Sequence, residues 1–452
     1  MNENEITPRK QSKFIISHIL IILLLIGAGA FAYHRYSLST KLMTRIDAIR
    51  AAGYPVTCAE LDKWYTIPEN VENAAYTIMD AFSYYKLWDK EKSKPLPFVG
   101  RAKLPARTEP LPEETKALIN QYIADNNEAL ELLHAGAAIE HCRYPIDLSA
   151  GLETKLSPLS EIRSGLYLLK LEAILHAEHG DGESAIHSVK SCFGIARSLV
   201  KEPVTISQLV RSGCQNHAAT AIEYCLNRIK FTDEQLVELI ESVQYTERIS
   251  DMSCAFVGER CNGISFFKAP GSVDPGLVGG IPFQPLLALY KAIGMTDSDA
   301  IIYLDLMDEY IKIGQLPLHQ RRQAAEAVDA RFRSTSKVHV LLYVMMPAFA
   351  RITTIDTRNI AQLRTARVAL TIERYRLAAG KLPDALAELV PAYLDTVPTD
   401  PFDGNELRYK KLETGFVVYS IGEDLSDDDG KEQPLRKTKE SPNWDVTFIV
   451  ER

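Results

Sequence analysis

Residues 14–33, FIISHILIILLLIGAGAFAY, run for twenty positions without an aspartate, glutamate, lysine or arginine. A helix rises 1.5 Å per residue, so this stretch matches the roughly 30 Å hydrocarbon core of a bilayer. The sequence therefore predicts one transmembrane helix, with 1–13 as a cytoplasmic tail. A cleaved leader is the competing reading, but its apolar region would run about 7 to 15 residues and end in a small-x-small site, which AYHRYS does not provide. The basic residues are balanced, with Arg9, Lys10 and Lys13 before the span and Arg35, Lys41 and Arg45 after it. An anchor followed by a long exported domain is the simpler arrangement, which puts the body in the periplasm of a bacterial inner membrane.

Behind the span, the 452-residue chain has length for two or three domains and enough apolar residues, 46%, to give them cores. A net charge of −8 and the lack of a basic stripe interleaved with aromatics exclude nucleic acid as a partner. The seven cysteines include no Cys-x-x-Cys pair, which removes zinc-ribbon and thioredoxin-like readings. Cys192 and Cys225 fall on apolar helix faces and read as small buried hydrophobes.

Residues 34–52 continue as a helical stalk. From 113 to 250 the pattern is one of successive amphipathic helices. Ile186, Val189, Phe193, Ala196 and Val200 recur at spacings of 3 and 4 and mark one buried face. The stretch LYLLKLEAILHAEHGDGESAIHSVKSCFGIARSL resembles a single tetratricopeptide hairpin with its turn at Gly180 and Asp181, but no second unit follows at a fixed period. Thr232 to Gln235 forms a capping box, and Thr296 is expected to cap a later helix. VHVLLYVMMPAFA is too short to span a bilayer and predicts a buried core helix. Between these helices, residues 262–285 carry five glycines and four prolines and read as a junction. The charged, proline-punctuated segment around 89–114 reads as a surface loop.

The pattern changes near 358. A long helix ends at Gly380, and LRYKKL and FVVYSI then flank a Glu413-Thr414-Gly415 turn. WDVTFIV closes the chain with Trp444, Val446, Phe448 and Val450 on one side. The predicted fold is mainly α: a helical-hairpin body over 34–357, and a small α+β module over 358–452 made of one long helix and a three-stranded antiparallel sheet.

This last module resembles the globular part of the major pseudopilin of type II secretion systems. The resemblance is carried by Asp400-Pro401-Phe402-Asp403-Gly404 and by Tyr419-Ser420-Ile421-Gly422, and it covers about a fifth of the chain. The chain departs from that family in lacking a prepilin-peptidase site, in having Leu425 where the family has glycine, and in a polar insertion at 431–443. As a whole it resembles a group of uncharacterised bacterial single-pass membrane-anchored proteins. The pseudopilin resemblance implies a calcium ion in the loop after the second strand, where Asp424, Asp427, Asp428 and Asp429 crowd together. Asp424, Asp427 and Asp428 are the candidate ligands, with Asp445 closing the set. Physically, Ca²⁺ would relieve their repulsion with six to eight oxygens at about 2.3 to 2.6 Å. A solvated acidic loop is the alternative.

No nucleophile elbow, phosphate loop, His-Glu-x-x-His or dinucleotide fingerprint occurs. HAEHGDGESAIH is the one His-rich cluster, and it reads first as a helix-hairpin turn. The expected role is a membrane-anchored, extracytoplasmic protein-binding or scaffolding module, associated with a secretion or pilus-like system. The alternatives are an exported hydrolase with its site near 262–285, or a polysaccharide-binding helical domain using Trp64, Tyr65, Tyr84, Tyr85 and Trp88.

Overall fold

The computed structural model describes residues 8–156, 158–272, 284–346, 348–433 and 444–452. The chain is mainly α-helical with one three-stranded antiparallel sheet, order β1-β2-β3, near its C-terminus. Helix α1 (Pro8–Ala51) is continuous over 44 residues, and its N-terminal part is long and apolar enough to cross a membrane. Residues 15–34 of it are exposed, whereas Leu42, Ile46 and Ile49 pack with Val56, Ile264 and Leu304 of the body. The expected stalk is thus a docked helix.

Short helices α2 (Cys58–Trp64), α3 (Ala74–Tyr84) and α4 (Lys90–Ser93) start at Thr57, Asn73 and Asp89, each of whose side chains accepts from a first-turn amide. Next come α5 (Glu113–Asp125) and α6 (Asn127–Ala138), then the hairpin α7 (Pro158–Glu178) and α8 (Gly182–Arg197). Gly180 turns that hairpin at φ +73°, and Asp181 caps α8 by accepting from Ser184 N at 3.1 Å. Ile186, Val189, Phe193 and Ala196 are buried, as their spacing predicts, whereas Val200, expected on the same face, lies past the end of α8 and is half-buried. Helix α9 (Thr205–Leu226) packs on both arms of the hairpin. The capping box opens α10 (Asp233–Ile249), with Thr232 N donating to Gln235 Oε1 at 3.0 Å and Gln235 N to Thr232 Oγ1 at 3.3 Å.

The chain continues through α11 (Ser253–Lys268), α12 (Gln284–Ala292), α13 (Met295–Ile313), α14 (Leu318–Ser334) and α15 (Val340–Met345) to α16 (Phe349–Ala379). One expectation fails here. Thr296 does not cap α13; it is buried within the first turn, and Gly294 at φ +89° makes the entry. The helix begins one residue before Thr296, after a left-handed residue that glycine alone adopts readily. The 338–350 stretch buries Leu341, Leu342, Met345 and Phe349.

Helix α16 ends at Gly380 in the left-handed region, φ +69°. It lies against α9, α10 and α14 as well as the sheet β1 (Arg408–Leu412), β2 (Gly415–Ser420) and β3 (Val446–Glu451). The expected module boundary at 357/358 falls inside this helix. One apolar core runs from Leu61 through to Phe448 and Val450. In the sheet Leu412 pairs with Gly415, so the hairpin turn is Glu413-Thr414 and Gly415 belongs to β2. The outer edge of β3 is covered by side chains of α9 and its C-cap. Glu223 Oε1 accepts from Ile449 N at 3.1 Å, and Asn227 bridges Ile449 O at 2.9 Å and Glu451 N at 2.7 Å. These side chains do for the edge what another strand would.

Where α9 meets α16 the contact is polar. Arg211 is fully buried, donating to Gln208 Oε1 at 2.6 Å and Ser250 Oγ at 2.9 Å, with Asp356 at 3.9 Å. Asn359 donates to Gln215 at 2.7 Å across the same interface.

Candidate functional site

The acidic loop comes first, since the sequence points there. Asp424 accepts from Ser426 N at 3.1 Å and closes its own turn. Asp427 accepts from Arg408 Nε at 3.2 Å, and Asp429 pairs with Lys410. Asp445 is buried, accepting from Gly430 N at 2.8 Å and Asp428 N at 3.5 Å, and its burial pushes the carboxyl up to about 6. Asp428 Oδ2 is buried without a partner. Of the four expected ligands, the fold brings Asp428 and Asp445 together, leaves Asp427 near enough to add to the repulsion on Asp445 while paired with Arg408, and commits Asp424 to its own turn. Much of the expected charge relief comes from β1: Arg408 and Lys410, two apart on that strand, receive two of the aspartates. Among the described residues no three His, Cys, Asp or Glu side chains converge as a metal site. The pair fits a calcium donor set in part, supplying two carboxylates where six to eight oxygens are needed.

The Asp400–Gly404 motif is tied to the same place. Asp400, fully buried, accepts from Phe402 N at 2.9 Å, Ser420 Oγ at 2.8 Å and Ile421 N at 2.9 Å, and Arg408 clamps it to Asp403. The motif is a lock between a turn and the end of β2.

A second place, missed in the sequence, is built around Lys170 of α7. This side chain is 3% exposed, donates to Thr220 Oγ1 at 2.7 Å, and lies 3.3 Å from His217 Nδ1. Its Nζ sits 4.3 Å from the centroid of Phe98, a residue held at φ +62° in the loop after α4. Among the described residues no carboxylate lies within ion-pair distance of it. Burial pulls its pKa down to about 8, and burial together with Lys170 pulls His217 to about 3, so His217 is neutral. At pH 7 about a tenth of the Lys170 amines are uncharged.

Lys170 faces a cleft of about 690 Å³ whose walls include Phe98, Leu104, Pro105, Thr220 and Tyr224. At its rim Arg107 joins Glu223 at 3.0 Å to Glu432, while Gln433 accepts from Arg358 at 2.7 Å. The far end of the acidic loop therefore borders this cleft. The expected surface loop is its wall. A volume of this size, mostly apolar with a few convergent polar groups, is that of a ligand site. The one signal in the sequence was Lys170 itself, alone among leucines in LYLLKLEAIL.

A third place joins three helices. His134 of α6 lies 2.8 Å from Glu172 Oε2 of α7 through Nε2 and 2.7 Å from Ser191 Oγ of α8 through Nδ1. Glu172 also accepts from Ser188 Oγ at 2.7 Å, and the His187 ring stacks on His134 with centroids 4.4 Å apart. Burial and the neighbouring His134 lower the His187 pKa. The line of serine, imidazole and carboxylate edges a cleft of about 500 Å³. What acyl transfer further requires is a set of donors for the developing oxyanion. Ser191 stands inside a helix with Oγ 3.0 Å from His187 O, Arg197 is spent on Ala137 O and Ile139 O, and Lys190 on Glu238. The arrangement ties α6, α7 and α8 together.

Other expected sites are placed as follows. His176 lies 3.7 Å from Asp181 and 4.0 Å from Glu172, and among the described residues no such group is arranged as a metal site. Tyr65 and Trp88 are buried and Tyr85 bonds Tyr122 inside the body, which leaves Trp64 and Tyr84 exposed. The 262–285 junction is described only to 272 and from 284, and the rest of it lies outside the described residues. All seven cysteines are unpaired, and six of them are buried. Compared with protein-family models, with curated proteins and with solved structures, the chain finds no match.

Proposed function

We propose that this chain is a single-pass bacterial inner-membrane protein whose periplasmic body binds or scaffolds a partner protein, receiving an acidic group of that partner in the Lys170 cleft. The observation that supports the reading is a buried ammonium, with no carboxylate at ion-pair distance among the described residues, at the wall of a cavity of ligand size. A buried charge left uncompensated costs several kcal/mol, and a bound carboxylate offsets that cost. The depressed amine and neutral His217 add the kind of perturbation found where ligands bind. If the loop holds a divalent cation such as Ca²⁺, Asp428 and Asp445 are the residues that would contribute to it.

Zero-length carbodiimide coupling in cell membranes tests the reading, because it condenses a carboxylate with an amine it touches. A crosslinked peptide pairing Lys170 with a partner carboxylate, and missing in Lys170→Met, is the expected result. Crosslinks at exposed lysines with none at Lys170 would overturn it.

A second reading, an exported hydrolase, draws on the Ser191–His134–Glu172 line. Ester hydrolysis by the wild type that is lost in Ser191→Ala would move the assignment there.

A further inference from the structure

We infer that helix α12 lies against the surface of the bilayer that α1 crosses, so that the body meets the lipid over an apolar apron as well as through its anchor. The inference rests on the reading of α1 as a transmembrane helix.

The geometry starts from how α1 meets the body. Arg35 pairs with Asp297 at 3.1 Å and Arg45 with Asp305 at 2.6 Å. The two contacts advance together along both chains, so α13 runs parallel to α1 with its N-terminus toward the apolar span. Arg35 comes two residues after the end of that span. Gly294, between α12 and α13, packs against Arg35 and Leu38. The end of α12 is therefore held about one helical turn from where α1 leaves the hydrocarbon.

At this level the body is apolar on its outside. On α12, Leu287 is buried and Tyr290 half-buried toward the body, while Leu286 and Leu289, with Ile293 just past the helix end, are 55%, 56% and 42% exposed. Val338, 58% exposed, joins them through its carbonyl, which accepts from Tyr290 OH at 2.9 Å. Val340 is exposed beside it. A contiguous apolar face of this kind on a water-facing surface marks a contact. Lys291 and Lys337, both exposed, stand among these residues where anionic headgroups would lie.

The patch is held rigidly. Asp299 of α13 is fully buried and accepts from Tyr290 OH at 2.8 Å, from His339 Nδ1 at 2.6 Å and from Leu342 N at 3.1 Å. One carboxylate thus fixes α12, the 335–340 turn and α15 to the N-terminus of α13.

The test uses the full chain reconstituted in phosphatidylcholine–phosphatidylglycerol vesicles with lipids brominated near the headgroup end of their acyl chains. Leu289→Trp and, separately, Leu286→Trp place a reporter on the outer face of α12, where neither change disturbs packing. Flotation with the vesicles reports the anchor. The emission that each new tryptophan adds over the wild type reports the apron, and it should be largely quenched by the brominated lipid. Flotation without added quenching overturns the inference alone, including the case of a blue-shifted, unquenched emission from a second protein copy on the patch. Failure to float overturns the anchor and the inference with it.

Discussion

The two clefts flanking the α7–α8–α9 helices hold the same kinds of side chain and treat them in opposite ways. In the His134 cleft every polar group central to the cluster finds a protein partner: imidazole to carboxylate, imidazole to hydroxyl, hydroxyl to carboxylate. In the Lys170 cleft the buried ammonium has a hydroxyl and a neutral ring but, among the described residues, no carboxylate within ion-pair distance. A satisfied cluster joins helices and specifies their packing. An unsatisfied one persists in a fold against its cost, and the missing group is what a ligand would bring. On this comparison the serine, histidine and glutamate hold helices together, and the lone lysine is the group on which the proposed function rests.

The largest effect should come from breaking the satisfied cluster. Glu172→Ala strands His134 Nε2, leaves Ser188 only its bond to Ser184 O, and opens a cavity between α6, α7 and α8, so urea unfolding should show a loss of about 3 kcal/mol. A loss near zero would place His134 on the functional side of the comparison. Next in size, Lys170→Met removes a buried charge without stranding another and should raise stability at pH 7 by about 1 kcal/mol. The sign with pH follows. The folded pKa of Lys170, about 8, lies below the unfolded value, so the penalty is complete below pH 8 and fades as pH rises toward 10.5. The wild type should gain stability over that window, and Lys170→Met should lack that gain.

The smallest effect concerns Asp445, a buried carboxylate beside Asp428. Its folded pKa is raised to about 6, so stability is favoured at pH 4 and falls as pH climbs through 6. Asp445→Asn should flatten that slope in thermal melts by a few tenths to about 1 kcal/mol. A cation held by the Asp428–Asp445 pair would flatten it in the wild type too, so melts with and without millimolar Ca²⁺ read the loop directly.

Much of the fold was legible because it is local. The Thr232–Gln235 box, the Gly180–Asp181 turn, the Gly380 stop and the β1–β2 hairpin depend on residues within a few positions of each other. What was hidden is long-range. That α1 docks on α13, that α16 belongs to the body as much as to the sheet, and that Glu223 and Asn227 cover the edge of β3 depend on contacts across most of the chain. Thr296 shows a good local cap passed over, since α13 starts at Met295 after the left-handed Gly294. The acidic loop was found but half explained. The spacing of Arg408 and Lys410 on one strand was readable, yet their meeting with Asp427 and Asp429 depends on the β1–β2 register. Lys170 left only its isolation among leucines, which says that a charge is buried and nothing of the cleft beside it.

The most direct test of the Lys170 cleft is its chemistry toward an acidic aldehyde. The full-length protein in vesicles, treated at pH 7.5 with pyridoxal 5′-phosphate and reduced with borohydride, would carry a stable secondary amine wherever a reactive, reachable lysine exists, and peptide mapping identifies it. Lys170 should be labelled ahead of exposed lysines such as Lys86, and Phe98→Ala should alter its rate. An unlabelled Lys170 beside labelled surface lysines would mean that the amine is closed to ligands and belongs to the fold alone.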